Sequence, residues 1–272
     1  MTKLVIYPSF LCPFSCAFCA TKNLNSLDEK LNLEVLDNIL EIHSDKIDEV
    51  IISGGEPMSL DSKYFLHLID LIRLSYRKKI TVESYPYTMD NYRDDVDWNF
   101  SYDFMIRPRA METWNNLLNI KKPFKLTVTI SPYMFKLFPN AILHKLSYLD
   151  NIKEVEFIPY YKNECSEFDI TKNDSLTKFN QLILSTKLNL KYKLINKEKL
   201  INRMIGEEEY CDTCLLPDGS FMYKQFDKNG ILRFMPFENG IEPFDKIKLN
   251  TPSEVDLYNN DIIEWAKNND II

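Results

Sequence analysis

The sequence predicts an α/β fold, a partial (β/α)6 TIM-like barrel followed by a small C-terminal α+β module. Two observations carry this. Short β-rich runs alternate with helical patterns over the first 190 residues, and after that the pattern changes. Alternation implies crossover connections and a parallel sheet, and six strands are too few for a closed eight-stranded barrel. The boundaries that follow are 1–190 for the barrel and 191–272 for the module.

The strands, in order, are "KLVIYP" (3–8), "VIISG" (50–54), "ITVESY" (80–85), "YDFMIR" (102–107), "KLTVTIS" (125–131) and "VEFIPYY" (155–161). Each is rich in β-branched or aromatic residues and short enough for a buried strand. Leu33, Leu36, Leu40 and His43 recur at helical spacing, as do Phe65, Leu68, Ile69 and Ile72, and a third helix falls within 136–149. Beyond a helical stretch at 175–205, "SFMYKQFDKNGILRFMPF" reads as two strands about a "DKNG" turn. "TPSEVDLYNNDIIEWAKNN" reads as a capped C-terminal helix. No Pro/Gly-rich linker separates the module, so it is expected to pack on the barrel.

Composition narrows the function. With 272 residues, 45% hydrophobic and 27% charged, the chain matches an ordinary globular protein that can bury one large core. No run reaches the ~18 apolar residues of a membrane span, and the N-terminus lacks a secretory h-region, so a cytoplasmic protein with no membrane partner is expected. A net charge of -7 opposes a broad nucleic-acid surface and favours a small or peptidic substrate. In a reducing compartment six cysteines read as metal ligands or catalytic thiols rather than disulfides.

Cys12, Cys16 and Cys19 form CxxxCxxC directly after the first strand. A structural zinc site wants four ligands, whereas here the nearest histidine is His43 and the next cysteine is Cys165. Three soft thiolates suit a four-iron cluster with one iron left for another ligand. The second strand ends in "SGGEP", two adjacent glycines in a chain with six. Glycines there allow a close backbone approach at the C-terminal edge of a parallel strand, where such folds place their sites.

Together, CxxxCxxC with Phe18 before its last cysteine and the GGEP turn on the next strand resemble the radical S-adenosylmethionine (SAM) superfamily, over roughly residues 1–165. The resemblance implies a [4Fe-4S] cluster on Cys12, Cys16 and Cys19 and SAM chelated at the open iron. It implies SAM contacts from Phe18, Ser53, Gly54, Gly55, Glu56 and Pro57, with Glu56 and the turn backbone at the methionine amino group. SAM's carboxylate and ribose are expected at the ends of strands 4 and 5, where Arg107, Arg109 and Ser131 are the candidates. A forked guanidinium suits a carboxylate. One electron, from a flavodoxin- or ferredoxin-type donor, would yield a 5′-deoxyadenosyl radical that takes a hydrogen atom from substrate.

Cys165, Cys211 and Cys214 form a second group. "CDTC" followed by "PDG" resembles the twitch and SPASM modules that carry auxiliary iron–sulfur clusters, but no cysteine follows Cys214, so one auxiliary cluster is the most the chain could hold. Zinc on Cys211 and Cys214, a redox CxxC, and Cys165 as a catalytic hydrogen-atom donor are the alternatives. The expected activity is modification of a peptide of the ribosomally made natural-product type, or of a small metabolite. A separate protein is expected to present a peptide substrate, because the triplet begins at residue 12. The competing readings are an activase of a glycyl-radical enzyme and a non-catalytic metal-binding interaction protein.

Overall fold

The computed structural model describes residues 2–16, 19, 21, 24, 29–103, 107–130, 139–159, 191–195, 210–226, 232–237, 243–244, 247–248 and 268. Six strands, β1 (Lys3–Ile6), β2 (Glu49–Ile52), β3 (Lys79–Ser84), β4 (Asp97–Tyr102), β5 (Phe124–Ile130) and β6 (Ile152–Pro159), pair in parallel and in sequence order. Four helices connect them: α1 (Leu33–His43), α2 (Ser62–Asp70, continued by a π turn at Leu71–Ser75), α3 (Ala110–Asn119) and α4 (Pro139–Leu146). Residues of all four pack against the same face of the sheet, as the right-handed rule for parallel crossovers leads one to expect.

That face holds the core. Leu4 and Ile6, Val50 and Ile52, Ile80 and Val82, Trp98 and Phe100, Leu126 and Val128, and Val155 and Phe157 project from the six strands. They form one cluster with Leu36 and Leu40 of α1, Phe65 and Leu68 of α2, Leu117 of α3 and Leu146 of α4. Each fully buried side chain contributes about 1.5–3 kcal/mol, and truncating Leu68 to Ala would cost about 2–5 kcal/mol. The helices begin where local chemistry allows: Asn32 accepts from Glu34 N, and Asp61 accepts from Lys63 N and Tyr64 N.

The other face alternates out of this core: at β1 and β2 it carries Val5 and Ile51, while Glu49 and, from β3 to β6, Thr81, Glu83, Asn99, Ser101, Lys125, Thr127, Glu154 and Glu156 make it polar. At its base Lys79 lies 2.8 Å from Glu49 and 3.6 Å from Asp97, and Lys125 lies 2.7 Å from Glu154.

The C-terminal strands continue the same sheet. β7 (Lys193–Leu194) adds in parallel to β6, and β9 (Thr213–Leu215) adds in parallel to β1. The antiparallel strands β10 (Phe221–Phe226) and β11 (Leu232–Met235) follow β9, giving the order β11-β10-β9-β1-β2-β3-β4-β5-β6-β7. The ends do not meet, so the barrel is partial. β8 (Tyr210–Cys211) and β12 (Ile247–Lys248) form a separate two-stranded sheet. The hairpin about "DKNG" is present as β10 and β11. The C-terminal helix and most of the stretch 175–205 lie outside the described residues.

One local expectation is corrected. The fourth strand is Asp97–Tyr102, not 102–107. Asn99 and Ser101 face the polar side while Trp98, Phe100 and Tyr102 are buried, so the real strand reads as alternating rather than continuously apolar. Helix α3 was not read from the sequence, because in "AMETWNNLLN" only Thr113 and Leu117 are buried and its apolar stripe is thin.

Candidate active site

The chain leaves β1 and forms a loop whose base is closed by a bridge between Ser9 and Lys30 and by the Leu31 N–H donating to Pro8 O at 2.9 Å. Cys12, Cys16 and Cys19 lie on this loop. It rests on the glycine turn after β2: Gly55 N donates to Ser9 O at 2.9 Å, and Glu56 N donates to Leu11 O at 3.1 Å. A Cβ on Gly55 would stand 2.1 Å from Leu11 O, and one on Gly54, whose φ is +124, would stand 2.6 Å from Ser9 O. Only glycine lets the two backbones come this close.

Glu56 fastens the turn to the end of β3. Its Oε1 accepts from Met58 N at 3.0 Å and from the Ser84 hydroxyl, and its Oε2 accepts from Tyr85 N at 2.9 Å. Burial pushes this carboxyl up to about 7, against the pull of those hydrogen bonds and of Arg107. Both oxygens are therefore already engaged by protein donors. Pro57 follows as the first residue of a buried 3₁₀ turn, Pro57–Ser59.

A cavity of about 380 Å³ opens where these pieces meet. Its wall takes in Cys12, Cys16 and Cys19, the turn Ser53–Glu56, Tyr85, Arg107, and polar side chains from the inner face of β3 to β6. Those polar groups are ordered. Thr127 Oγ1 donates to Asn99 Oδ1 at 3.0 Å, Asn99 Nδ2 donates to Glu83 Oε1 at 3.4 Å, and Ser53 Oγ donates to Glu83 Oε2 at 2.9 Å. Burial raises the Cys12 thiol and pushes the Cys16 thiol up to about 11.

Among the described residues no group of three His, Cys, Asp or Glu is gathered tightly enough to hold a single metal ion. The three thiols line one cavity. Cys19 N donates to Cys16 O at 3.1 Å, setting the turn between the last two cysteines.

The structure separates the two candidate arginines. Arg107 lines the cavity, with its Nε 2.6 Å from Asp103 Oδ2. Arg109 caps α3 with φ 63, pairs with Glu112 and lies over the Tyr87 ring, lining a neighbouring cavity of about 430 Å³ with Met58, Ser62 and Asp90. Phe18, Ser131 and Cys165 lie outside the described residues, and Cys211 lies in β8. Cys214 is fully buried in an apolar cluster with Val5, Tyr7, Phe10 and Leu216, its Sγ 3.7 Å from Asp212 O. The sequence reading missed Glu83, Asn99, Asp103, Thr127 and Glu156. The signal for most of them is the polar half of the period-2 alternation in β3 to β6.

Residues 6–99 match the family model described as Radical SAM superfamily. No curated protein matches the chain in sequence. Among solved structures, anSMEcpe with bound AdoMet and Cp18Cys peptide superposes with a TM-score of 0.65 at 15% identity, over 98% of this chain and 82% of its own. SuiB of Streptococcus suis bound to the precursor peptide SuiA gives 0.54 at 16% identity, over 80% of this chain and 58% of SuiB. SuiB bound to S-adenosylmethionine gives 0.54 at 14% identity, over 97% and 65%. At these identities the likeness is one of fold. Among the described residues no helix is long and apolar enough to cross a membrane.

Proposed function

We propose that this chain, which residues 6–99 place in the radical SAM superfamily, modifies a peptide substrate by hydrogen-atom abstraction in the cavity at the ends of β2 to β6. A [4Fe-4S] cluster and SAM are the cofactors of that superfamily. The observation that carries the assignment of residues is the single cavity that joins the three thiols of the loop to the bare backbone of Gly54 and Gly55.

Cys12, Cys16 and Cys19 would hold the cluster. When bound, cluster and SAM supply one-electron reductive cleavage to a 5′-deoxyadenosyl radical. The chain's own part is positioning and exclusion of water. Gly54 and Gly55 bring main-chain atoms to the cofactor, and Arg107 offers its guanidinium to SAM's carboxylate. Glu56 acts from behind, holding the turn on β3 through both oxygens. Ser53, Glu83, Asn99, Thr127 and Glu156 form the polar floor on which a substrate group would rest.

A peptide is favoured over a small metabolite because anSMEcpe and SuiB were both solved with peptides. A flavodoxin- or ferredoxin-type donor and a separate peptide-presenting protein complete the proposal. So do a second, auxiliary cluster on Cys165, Cys211 and Cys214 and the division into a barrel of 1–190 and a module of 191–272.

The test is direct. Anaerobically reconstituted protein is incubated with SAM and dithionite, and 5′-deoxyadenosine is measured. Release that disappears in the Cys12, Cys16 and Cys19 Ala variants supports the assignment, and release that survives them refutes it.

A further inference from the structure

Asp103 follows β4 with its side chain closed to solvent, and besides Arg107 its carboxylate takes hydrogen bonds from the Thr129 side chain and backbone N–H on β5. Its Oδ2 stands 2.6 Å from Arg107 Nε. The same guanidinium donates through Nη1 to Ser101 Oγ at 3.3 Å and stacks with its carbon 4.3 Å from the centroid of the Tyr85 ring. Tyr85 is itself fixed. Its hydroxyl donates to Pro108 O at 2.9 Å, its N–H donates to Glu56 Oε2 at 2.9 Å, and its ring meets Phe14 edge-on at 5.4 Å. Phe14 lies on the loop between Cys12 and Cys16. Three restraints thus hold one guanidinium on the cavity wall, and they connect it to both the cysteine loop and the glycine turn.

A buried ion pair is a poor device for stability, because desolvating each ion costs several kcal/mol and apolar residues of equal volume would serve as well. It is a good device for fixing direction. With the Nε side of the fork turned to Asp103, a carboxylate in the cavity meets Arg107 through its two Nη groups, the end-on geometry for a bidentate contact.

We propose that Asp103 is a positioning residue that aims the Arg107 guanidinium, over the Tyr85 ring, at the carboxylate of SAM. This rests on the reading of the cavity as the SAM site. It also opposes the simplest electrostatic expectation. Asp103 subtracts from the positive potential that Arg107 offers an anion, so if charge alone mattered its neutralisation would tighten SAM binding.

The experiment is a double-mutant cycle on SAM binding, read by titration calorimetry with anaerobically reconstituted holoprotein: wild type, Asp103→Asn, Arg107→Lys and the double variant. Removing a partner that orients a ligand-holding group weakens binding by about tenfold or more. Asp103→Asn is therefore expected to raise the dissociation constant about tenfold, and Arg107→Lys to raise it at least as much. The amide oxygen of Asp103→Asn still offers Thr129 an acceptor, so if Asp103 reaches SAM through Arg107 the double variant should bind within about twofold of Arg107→Lys alone.

Unchanged or tighter binding in Asp103→Asn, losses that add in the double variant, or no effect of Arg107→Lys would each overturn the proposal. Wild-type holoprotein that binds no SAM would instead refute the proposed function, a separate result. Should Asp103→Asn not fold, Asp103→Ser enters the same cycle.

Discussion

The backbone N–H of Tyr85 donates to Glu56 Oε2 at 2.9 Å, tying the glycine turn after β2 to the end of β3. Through Tyr85 this one bond also reaches Arg107, which stacks on the ring, and Phe14, which touches its edge. The cysteine loop, the glycine turn and the guanidinium are therefore set against one another.

The same bond makes a prediction about pH. Burial lifts the Glu56 carboxyl from 4.5 to about 7, so between those values the folded apoprotein binds more protons than the unfolded chain. The contribution of this group to stability is fully present below about pH 4.5 and is lost as pH rises through 7, a fall on the order of 3 kcal/mol. Urea unfolding of apoprotein at pH 5 and at pH 7.5 should show that fall in wild type and not in Glu56→Gln. At a fixed pH of 7, Glu56→Gln should be less stable by about 1–3 kcal/mol, since an amide leaves one of the three donors facing another donor.

Glu49 should act in the opposite sense. Although burial works against it, hydrogen bonds from Lys79 and Thr81 hold its carboxyl below the usual carboxylate range. Its contribution is present above the unfolded pKa and is lost as pH falls through the folded one. Because Lys79 is half-exposed, the effect is small, about 1 kcal/mol or less. Glu49→Gln should flatten the acid limb of the stability profile in denaturant melts below pH 5, and an unchanged limb would count against the pairing.

Gly55→Ala tests the seat of the loop. Its Cβ would meet backbone atoms of Phe10 and Leu11, which cannot rotate aside. About 3 kcal/mol of destabilisation is expected, at the upper end of ordinary overpacking. Iron uptake on reconstitution should fall with it. Full iron content and wild-type melting in the variant would show that the loop does not rest there.

Arg107 and Arg109 should differ. Arg107 lies on the cavity wall and Arg109 outside it, so Arg107→Ala should weaken SAM binding by ~30-fold or more while Arg109→Ala changes it less than about threefold. Equilibrium dialysis with labelled SAM reads both, and the reverse order would move the carboxylate to Arg109.

Iron counts decide the second group of cysteines. About eight irons in wild type falling to about four in a Cys165, Cys211 and Cys214 triple Ala variant would establish an auxiliary cluster. A constant four would leave Cys214 as what its surroundings indicate, a thiol packed in an apolar cluster beside Val5 and Tyr7.

The sequence by itself determined the parts that depend on short-range spacing. Three thiols within eight residues and two adjacent glycines at a strand end carry their chemistry in local covalent order, and the apolar runs of β1 and β2 are legible because their burial is nearly continuous. Only the tertiary structure decided what depends on contacts between distant strands. It shifted the fourth strand to Asp97–Tyr102, because one face of that strand turns to a polar cavity and its pattern alternates. It set β9 beside β1, a pairing across some 200 residues that no local propensity encodes. It also divided Arg107 from Arg109, two residues apart, because Arg107 pairs with the buried Asp103 carboxylate on the cavity wall while Arg109 pairs with the exposed Glu112 at the start of α3.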